Sequence, residues 1–180
     1  MTEPREHICR ALPAHIPPSP TNTRWMWVEG VYFKHYNRQV SPLGDELKPE
    51  DIDYLIIRSR FADWNMPRSI EAICVNPATV CERTNKQDSK KAFIWENDVI
   101  EFGDTGEDAA GDGFDFVNRA RVVRRNDRWE LDNFRSTNSS VMADMDHCYD
   151  EFASVFERCV VVGNYVDNPG LLSPEQRSEE

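Results

Sequence analysis

Five arginines lie close together in the chain and form the group of side chains best suited to bind an anion. They are Arg119, Arg121, Arg124, Arg125 and Arg128. A guanidinium group presents a planar fork of N–H donors that matches a phosphate or a carboxylate, so nucleic acid is one candidate ligand. The alternative is neutralisation within the chain, because an acidic segment over residues 103–113 directly precedes the arginines. Alternation along a strand would also divide them between two faces.

Two groups of acidic side chains are candidates for binding a metal ion or a small molecule. The first comprises Asp104, Glu107, Asp108, Asp112 and Asp115, and the second comprises Asp144, Asp146, His147 and Asp150. The first group does not follow the EF-hand pattern of calcium sites, which places ligands at alternate positions. On a helix, His147 and Asp150 would share a face, but a solvated polar face explains this pattern more simply. We therefore predict no metal site and keep a small-molecule pocket around the second group as an alternative.

The sequence lacks the motifs of several common enzyme classes. It contains no glycine-rich phosphate loop, no Gly-x-Gly-x-x-Gly, no Gly-x-Ser-x-Gly and no His-Glu-x-x-His. Its cysteines are widely spread, without a Cys-x-x-Cys pair, which favours buried or inert thiols over a disulfide framework or a zinc site. These are Cys9, Cys74, Cys81, Cys148 and Cys159. We predict a non-enzymatic protein with no catalytic residue and no cofactor.

The charge of the chain limits the partners that it can bind. Its 180 residues carry a formal net charge of -11 at pH 7, and the pI is near 4.8. Such an acidic surface repels duplex nucleic acid and anionic membranes, which require clustered lysine and arginine. The chain contains no run of about 18 apolar residues, and its beginning does not resemble a signal peptide. We therefore expect a cytoplasmic protein.

Composition divides the chain into three parts. Residues 1–23 contain five of the eleven prolines, which predicts a flexible, extended N-terminal arm. Residues 24–172 contain the apolar segments and are long enough for one self-sufficient core, so we predict a single domain there. Residues 173–180 are predicted to form a disordered acidic tail.

Short apolar segments separated by turn residues predict a domain built mainly of strands. The predicted strands lie at Arg24–Tyr36, Asp53–Phe61, Ser69–Val75, Phe93–Phe102, Phe114–Arg125, Arg128–Phe134 and Cys159–Val162. The first is expected to be central, because both of its faces are partly apolar. Asn126-Asp127 predicts a tight hairpin turn. The segment from Gly103 to Gly113 is predicted to be a long exposed loop, because its glycines and like charges make order costly.

Two segments have helical character. Apolar residues recur every three or four positions at Met142, Met145, Tyr149, Phe152 and Phe156, which predicts an amphipathic helix. Asn168 before Pro169 predicts an N-cap and a short helical turn through Leu172. Together with the strands, these segments predict a mainly β or α+β domain with one or two short helices, folded as a small, strongly bent barrel.

One stretch connects a polar, lysine-rich turn directly to an apolar strand, and its residues match a family pattern without a gap. The matching residues are Thr84, Asp88, Ile94, Trp95, Glu96, Asn97, Asp98 and Val99. On these residues the chain resembles the YopX family of phage and prophage proteins. Further similar blocks lie at Trp27–Gly30 with Lys34-His35, at Ile73–Pro77 with Thr79-Val80, and at Val162–Asn164 with Asp167–Pro169 and Leu171-Leu172. The resemblance therefore spans roughly residues 25 to 172.

The chain departs from the family in the turn, where Asn85 and Lys91 replace the usual glycines. Lysine tolerates positive φ poorly, so we expect a different turn type here. The resemblance implies an SH3-like barrel, at least from Ile94 to Tyr165. It assigns no catalytic residue. The exposed family-like residues Asp88, Glu96, Asp98 and Asn164 are expected either to hold turns together or to contact a partner.

Three functional hypotheses follow, and none of them involves a membrane. The first is a phage- or prophage-derived interaction module in the bacterial cytoplasm that recognises a host or phage protein. The second is single-stranded nucleic-acid binding through the arginines and exposed aromatic rings, and the third is small-molecule binding. Self-association is compatible with each hypothesis. The tryptophans are expected in the core, with one at a strand rim as a candidate anchor for a partner: Trp25, Trp27, Trp64, Trp95 and Trp129.

Overall fold

The computed structural model describes residues 7–22, 24–37, 48–59, 69–107, 110–137 and 155–173. The chain divides into two compact units, Met1–Glu82 and Arg83–Glu180, which we call unit 1 and unit 2. The predicted single domain over residues 24–172 includes parts of both units and stays a prediction. The tail at residues 174–180 lies outside the described residues.

Unit 1 contains a fully antiparallel sheet in the order β4-β3-β2-β1, and the first residues of β5 pair with β1. The strands are β1 (Ile8–Ala11), β2 (Val28–Tyr36), β3 (Ile52–Ser59), β4 (Ile70–Cys74) and β5 (Cys81–Gln87). Short 3-10 helices lie at Arg24–Met26, Pro49–Asp51 and Pro77–Thr79. The β-branched and aromatic residues of these strands fit a pleated sheet, which explains why the sequence located them.

The prediction of a flexible N-terminal arm is wrong for the residues that form β1. This strand pairs with β2 on one side and with β5 on the other. Ala11 and Leu12 are completely buried, and the Leu12 backbone N–H donates to Thr79 Oγ1 at 3.0 Å. The apolar residues between the prolines thus outweigh the extended tendency of the segment, because β1 completes a sheet that is distant in sequence.

Gly30 lies in the middle of β2, which is central in the sheet as predicted. A Cβ atom at this position would lie 2.4 Å from the carbonyl oxygen of Ile57 on β3. The close approach of the two backbones therefore requires glycine. The core of this unit lies on one face of the sheet and is formed by Ala11, Val28, Ile56 and Val75, with Tyr32, Tyr54, Ile73 and Val80 packed around them.

Unit 2 contains a four-stranded antiparallel sheet in the order β10-β7-β8-β9. Its strands are β7 (Asp98–Glu107), β8 (Gly113–Arg125), β9 (Arg128–Ser136) and β10 (Val160–Asn164), while β6 (Phe93–Trp95) pairs with the last residues of β5. A core forms from Ile94, Ile100, Phe102, Ala120, Val122, Leu131, Val155 and Cys159. A 3-10 helix follows at Pro169–Leu172.

The hairpin between β8 and β9 has the predicted turn. Asn126 and Asp127 occupy its two central positions with φ of 49° and 62°. Two consecutive residues with positive φ match the backbone twist of a tight antiparallel hairpin, and asparagine and aspartate tolerate this conformation.

The prediction of a long exposed loop over Gly103–Gly113 is wrong at both of its ends. Residues 103–107 complete β7 and pair with residues 113–117 of β8, while residues 108 and 109 lie outside the described part of the chain. The reason is a cross-strand contact: a Cβ atom at Gly106 would lie 2.8 Å from the ring of Phe114. An aromatic ring lying over a glycine backbone supports a strand that composition alone disfavours.

The two predicted helical segments have different outcomes. The amphipathic helix lies outside the described residues except for its end, where Val155 is buried in the core of unit 2 and Phe156 packs against that core. The turn through Leu172 is confirmed as a 3-10 helix, but the predicted N-cap is wrong, since the Asn168 side chain makes no capping hydrogen bond. Backbone bonds, such as Leu171 N–H to the Asn168 carbonyl at 3.2 Å, hold the turn instead.

The prediction of a mainly β protein is confirmed by two antiparallel sheets. The strands within the described ranges do not close into a barrel. Among the described residues, no helix is long and apolar enough to cross a membrane.

We expect Gly30→Ala to lower the free energy of unfolding by about 1–3 kcal/mol, the usual cost of overpacking. The matched control is Gly103→Ala, because a Cβ atom at Gly103 meets nothing within 4 Å. Urea denaturation followed by circular dichroism measures both variants. Equal midpoints for Gly30→Ala and the wild type would show that the β2 and β3 backbones are not constrained as described.

Candidate functional site

The arginine group lies on and beside the β8–β9 hairpin, and strand alternation divides it as predicted. Arg119, Arg121 and Arg125 lie on one face of β8, and Arg124 lies on the other. Arg128 is opposite Arg125 in the register.

Carboxylates on the neighbouring strands neutralise most of this group. Arg119 Nε donates to Glu101 Oε2 at 2.8 Å, and Arg121 Nη2 donates to Asp132 Oδ2 at 2.8 Å. Arg125 Nη2 lies 3.0 Å from Asp132 Oδ1. Neutralisation within the chain was one of the two interpretations, but its partners come from β7 and β9 and not from the acidic segment.

Aromatic rings engage two of these arginines as well. The Arg121 guanidinium lies 4.7 Å from the centroid of the Tyr165 ring, and that of Arg124 lies 5.8 Å from the centroid of the Trp129 ring. Such cation–π contacts hold the guanidinium planes against the protein. The donor forks and ring faces that would recognise a nucleic acid are therefore already used within unit 2.

The shared partner Asp132 shows how strongly these charges interact. Burial alone would raise its pKa, but attraction to Arg125, a hydrogen bond from Arg125 and attraction to Arg121 outweigh burial. The pKa of Asp132 is therefore held below its ordinary value. An arrangement that stabilises one carboxylate with two guanidinium groups is a complete ion-pair network.

Asp88, the first family-like acidic residue, is buried within a turn. Its Oδ1 accepts hydrogen bonds from the backbone N–H groups of Lys90 at 2.9 Å and Ala92 at 2.8 Å. Its Oδ2 accepts a third, from the Val161 N–H of β10, at 3.1 Å. The carboxylate thus shapes the turn after β5 and ties it to β10, so Asp88 holds the turn and is not exposed to a partner.

Asp98 and Asn164 form a second buried polar group at the turn between β6 and β7. Asp98 Oδ2 accepts from the Trp95 backbone N–H at 2.9 Å, and Asp98 Oδ1 accepts from Asn164 Nδ2 at 3.0 Å. Asn164 Oδ1 in turn accepts from the Val166 N–H at 2.9 Å. These two residues therefore fasten β10 to the hairpin, and their polar atoms serve the fold.

The turn residues that replace family glycines adopt the conformation that glycine favours. Asn85 has φ of 61° and Lys91 has φ of 65°. The expectation of a different conformation at Lys91 is therefore wrong. Lysine keeps a left-handed backbone here because the bonds from Lys90 and Ala92 to the Asp88 carboxylate surround it.

A set of apolar side chains covers one face of the sheet in unit 1, and we call this set the apolar face. It consists of Ile8, Val31, Phe33, Leu55, Ile57, Ile70, Ala72 and Cys74. Cross-strand pairing places them on one side: Val31 is opposite Ile57, which is opposite Ala72, and Phe33 is opposite Leu55, which is opposite Cys74. The core of the unit lies on the other side of the sheet.

The apolar face is exposed to an extent that is unusual for such large side chains. The exposed fractions are 53% for Val31, 49% for Phe33 and 77% for Ile70. The sequence analysis missed this surface, because apolar residues on both faces of β2 indicated a strand buried on both sides. The pattern was present, but a sequence does not show which of two apolar faces is covered.

The tryptophans are less uniformly buried than expected. Trp27 and Trp95 are buried and Trp129 is partly buried, whereas Trp25 is 78% exposed. Trp64 lies outside the described residues. Trp25 precedes β2 in a 3-10 helix and is the candidate rim anchor.

The remaining candidate groups do not converge on a site. Asp104 Oδ2 lies 3.4 Å from Arg158 Nη2, and the group from Asp144 to Asp150 falls outside the described residues. Within the described ranges, no cluster of three or more His, Cys, Asp or Glu side chains can hold a metal ion.

The thiols that the structure describes are free, and they differ in reactivity. Cys74 is exposed on the apolar face, while Cys9, Cys81 and Cys159 are buried. Burial, together with the nearby Asp88 and Asp98 carboxylates, raises the pKa of Cys159 to about 11. The reactive thiolate is therefore suppressed at neutral pH.

Comparison of the chain with protein-family models, with curated proteins and with solved structures finds no match. Function must therefore be argued from the surfaces described above. Of these, the apolar face is the one whose side chains are left without a structural role.

We expect Asp88→Ala to lower the free energy of unfolding by about 3 kcal/mol or more, because each buried unsatisfied donor costs about 1–3 kcal/mol. Three backbone N–H groups lose their acceptor in this variant. Asp115→Ala is the control, since Asp115 is exposed on the β7–β8 hairpin. Chemical denaturation compares the two variants, and equal stability would contradict the proposed role of the Asp88 carboxylate.

The stabilising effect of Asp132 should depend on pH. Its folded-state pKa is lowered, so its contribution is present above the unfolded-state pKa of about 3.9. That contribution is lost as the pH falls through the lower folded-state pKa. We expect Asp132→Asn to be less stable than the wild type at neutral pH, by up to about 1 kcal/mol, and the difference to vanish in strong acid.

Thermal melts across this pH range measure the effect. Asp127→Asn is the matched control, because the Asp127 side chain is 93% exposed and pairs with Arg124 at the surface. A constant difference between Asp132→Asn and the wild type at every pH would show that the ion pairs with Arg121 and Arg125 contribute nothing.

Proposed function

We propose that this chain is a non-enzymatic protein-interaction module and that the apolar face is its docking surface. The observation that carries this proposal is the exposure of Val31, Phe33 and Ile70 on one continuous sheet face. Apolar patches of this kind, rimmed by polar residues, mark interaction sites in proteins. Burying them removes apolar surface from water at about 25 cal/mol per Å².

The polar residues support the same proposal because they are engaged within the chain. The buried carboxylates of Asp88 and Asp98 accept backbone hydrogen bonds, and Arg119 and Arg121 are ion-paired. Groups that are engaged in this way are poorly placed to act as an acid, a base or a phosphate clamp.

The proposal includes an origin and a location. The resemblance to the YopX family supports a phage or prophage protein that works in the bacterial cytoplasm on a host or phage protein. It also supports an SH3-like arrangement for the part from Ile94 to Tyr165.

The other hypotheses have weaker support. Single-stranded nucleic-acid binding would require Arg121 and Arg125 to leave their carboxylate partners, and the net charge of -11 opposes it. Small-molecule binding was placed around residues 144–150, which lie outside the described residues.

A capture experiment tests the proposal. The double variant Val31→Ser with Phe33→Ser removes apolar surface from the apolar face, and Phe114→Ser is the control because Phe114 is exposed on the hairpin of unit 2. The wild type and each variant are immobilised, and host lysate is passed over them with and without nuclease. We expect a protein that binds the wild type and Phe114→Ser in stoichiometric amount and is lost with the double variant.

Two results would contradict the proposal. Identical retention by the double variant and the wild type would show that the apolar face does not dock a protein. Retained material that disappears with nuclease would instead support the nucleic-acid hypothesis. Circular dichroism of the double variant confirms that any loss is not a loss of folding.

A further inference from the structure

The apolar face requires an occupant, and the charge distribution of the chain indicates which one. We propose that the occupant is a second copy of this chain, so that two copies form a symmetric dimer through the apolar faces of their first units. This inference rests on the proposed function, because it names the protein that the docking surface binds.

The two units carry very different charges. Unit 1 contains 9 Lys and Arg against 11 Asp and Glu, a net charge of -2, whereas unit 2 contains 12 against 21, a net charge of -9. Contact between two copies through their second units would bring the larger like charges together. Contact through the first units separates those charges, and salt screens them beyond about 8 Å at physiological ionic strength.

The apolar face itself contains no ionisable side chain except the Cys74 thiol. Charges lie at its border, where His35 Nδ1 is 3.6 Å from Asp53 Oδ2 and where Glu29 precedes Val31 on β2. Two copies can therefore meet over the centre of the face without opposing like charges. A strongly basic partner would instead be attracted to the more acidic unit 2, because uncharged side chains offer it no electrostatic gain.

The shape of a sheet face suits self-association. Two sheets pack face to face about 10 Å apart with their strands nearly aligned, as in a β-sandwich. A two-fold axis makes such a contact self-complementary, since the same residues are used by both copies. Val31, Phe33 and Ile57 near the centre of the face would then interdigitate with their equivalents.

The size of the face determines the expected strength of the dimer. With strands about 4.8 Å apart and a rise of about 3.3 Å per residue, four short strands give a footprint of about 300 Å². A stable interface buries about 800 Å² on each partner. We therefore expect a weak dimer whose population rises with concentration in the micromolar range.

Sedimentation velocity of the full chain over a wide concentration range tests this inference. Phe33→Asp and Ile70→Asp each introduce a carboxylate into the apolar face, and Phe114→Asp is the matched control in unit 2. We expect the wild type and Phe114→Asp to dimerise with similar Kd. Each face variant should weaken the dimer by about tenfold or more, because a buried unpaired charge is costly. Ile70→Asp keeps the test valid if Phe33→Asp fails to fold, since Ile70 is the more exposed position.

Cys74 provides a second readout, because it is the exposed thiol of the apolar face. Its rate of alkylation, followed by peptide mass spectrometry, should fall as the wild-type concentration rises. In Ile70→Asp the rate should not change with concentration. The buried Cys159 reports any general unfolding in the same experiment.

The outcomes separate this inference from the proposed function. A wild type that stays monomeric at every concentration, with a constant Cys74 rate, overturns the dimer. If the apolar face still captures a host protein in that case, the proposed function stands with a different partner. A dimer that persists in both face variants shows that the copies associate elsewhere and also overturns the inference.

Discussion

The carboxylate of Asp88 is the interaction on which the order of unit 2 depends. Its three backbone hydrogen bonds shape the turn after β5 and hold the first residues of β10 beside it. A buried carboxylate is costly unless hydrogen bonds satisfy it, so the turn and the strand must be in place together. Asp98 repeats this arrangement at the next turn, where Asn164 brings the end of β10 to the same hairpin. Two short turns thus position a strand that lies far along the chain.

This use of polar groups leaves function to a different kind of surface. In unit 2, carboxylates and guanidinium groups are engaged with the backbone, with each other or with aromatic rings. In unit 1, the sheet has two apolar faces but only one of them covers the core. The exposed Val31, Phe33 and Ile70 therefore provide binding energy that is mainly hydrophobic, with little direction from charge. Such a surface selects its partner by shape and by the absence of repulsion.

The accuracy of the sequence predictions follows the range of the interactions involved. The turn at Asn126-Asp127 was predictable because both residues tolerate positive φ without help from the rest of the chain. The strand of Gly103–Glu107 was not, because the Phe114 ring that covers Gly106 comes from the neighbouring strand. In the same way, β1 forms because β2 and β5 pair with it, which its proline-rich surroundings conceal. For the site, the arginines and their neutralisation were foreseen, but their partners and the exposed apolar face were not.

Local residue types alone therefore determined that this chain is mainly β, where its strong strands lie, and that its cysteines form no disulfide framework. These properties depend on side-chain shape and on neighbours a few residues away. Only the tertiary structure decided that Asp88 and Asp98 serve turns, that Asp132 bridges two arginines, and that one of two apolar sheet faces is exposed. Each of these depends on which distant segments meet, and a buried polar or apolar group has its final energy only when those neighbours are in place.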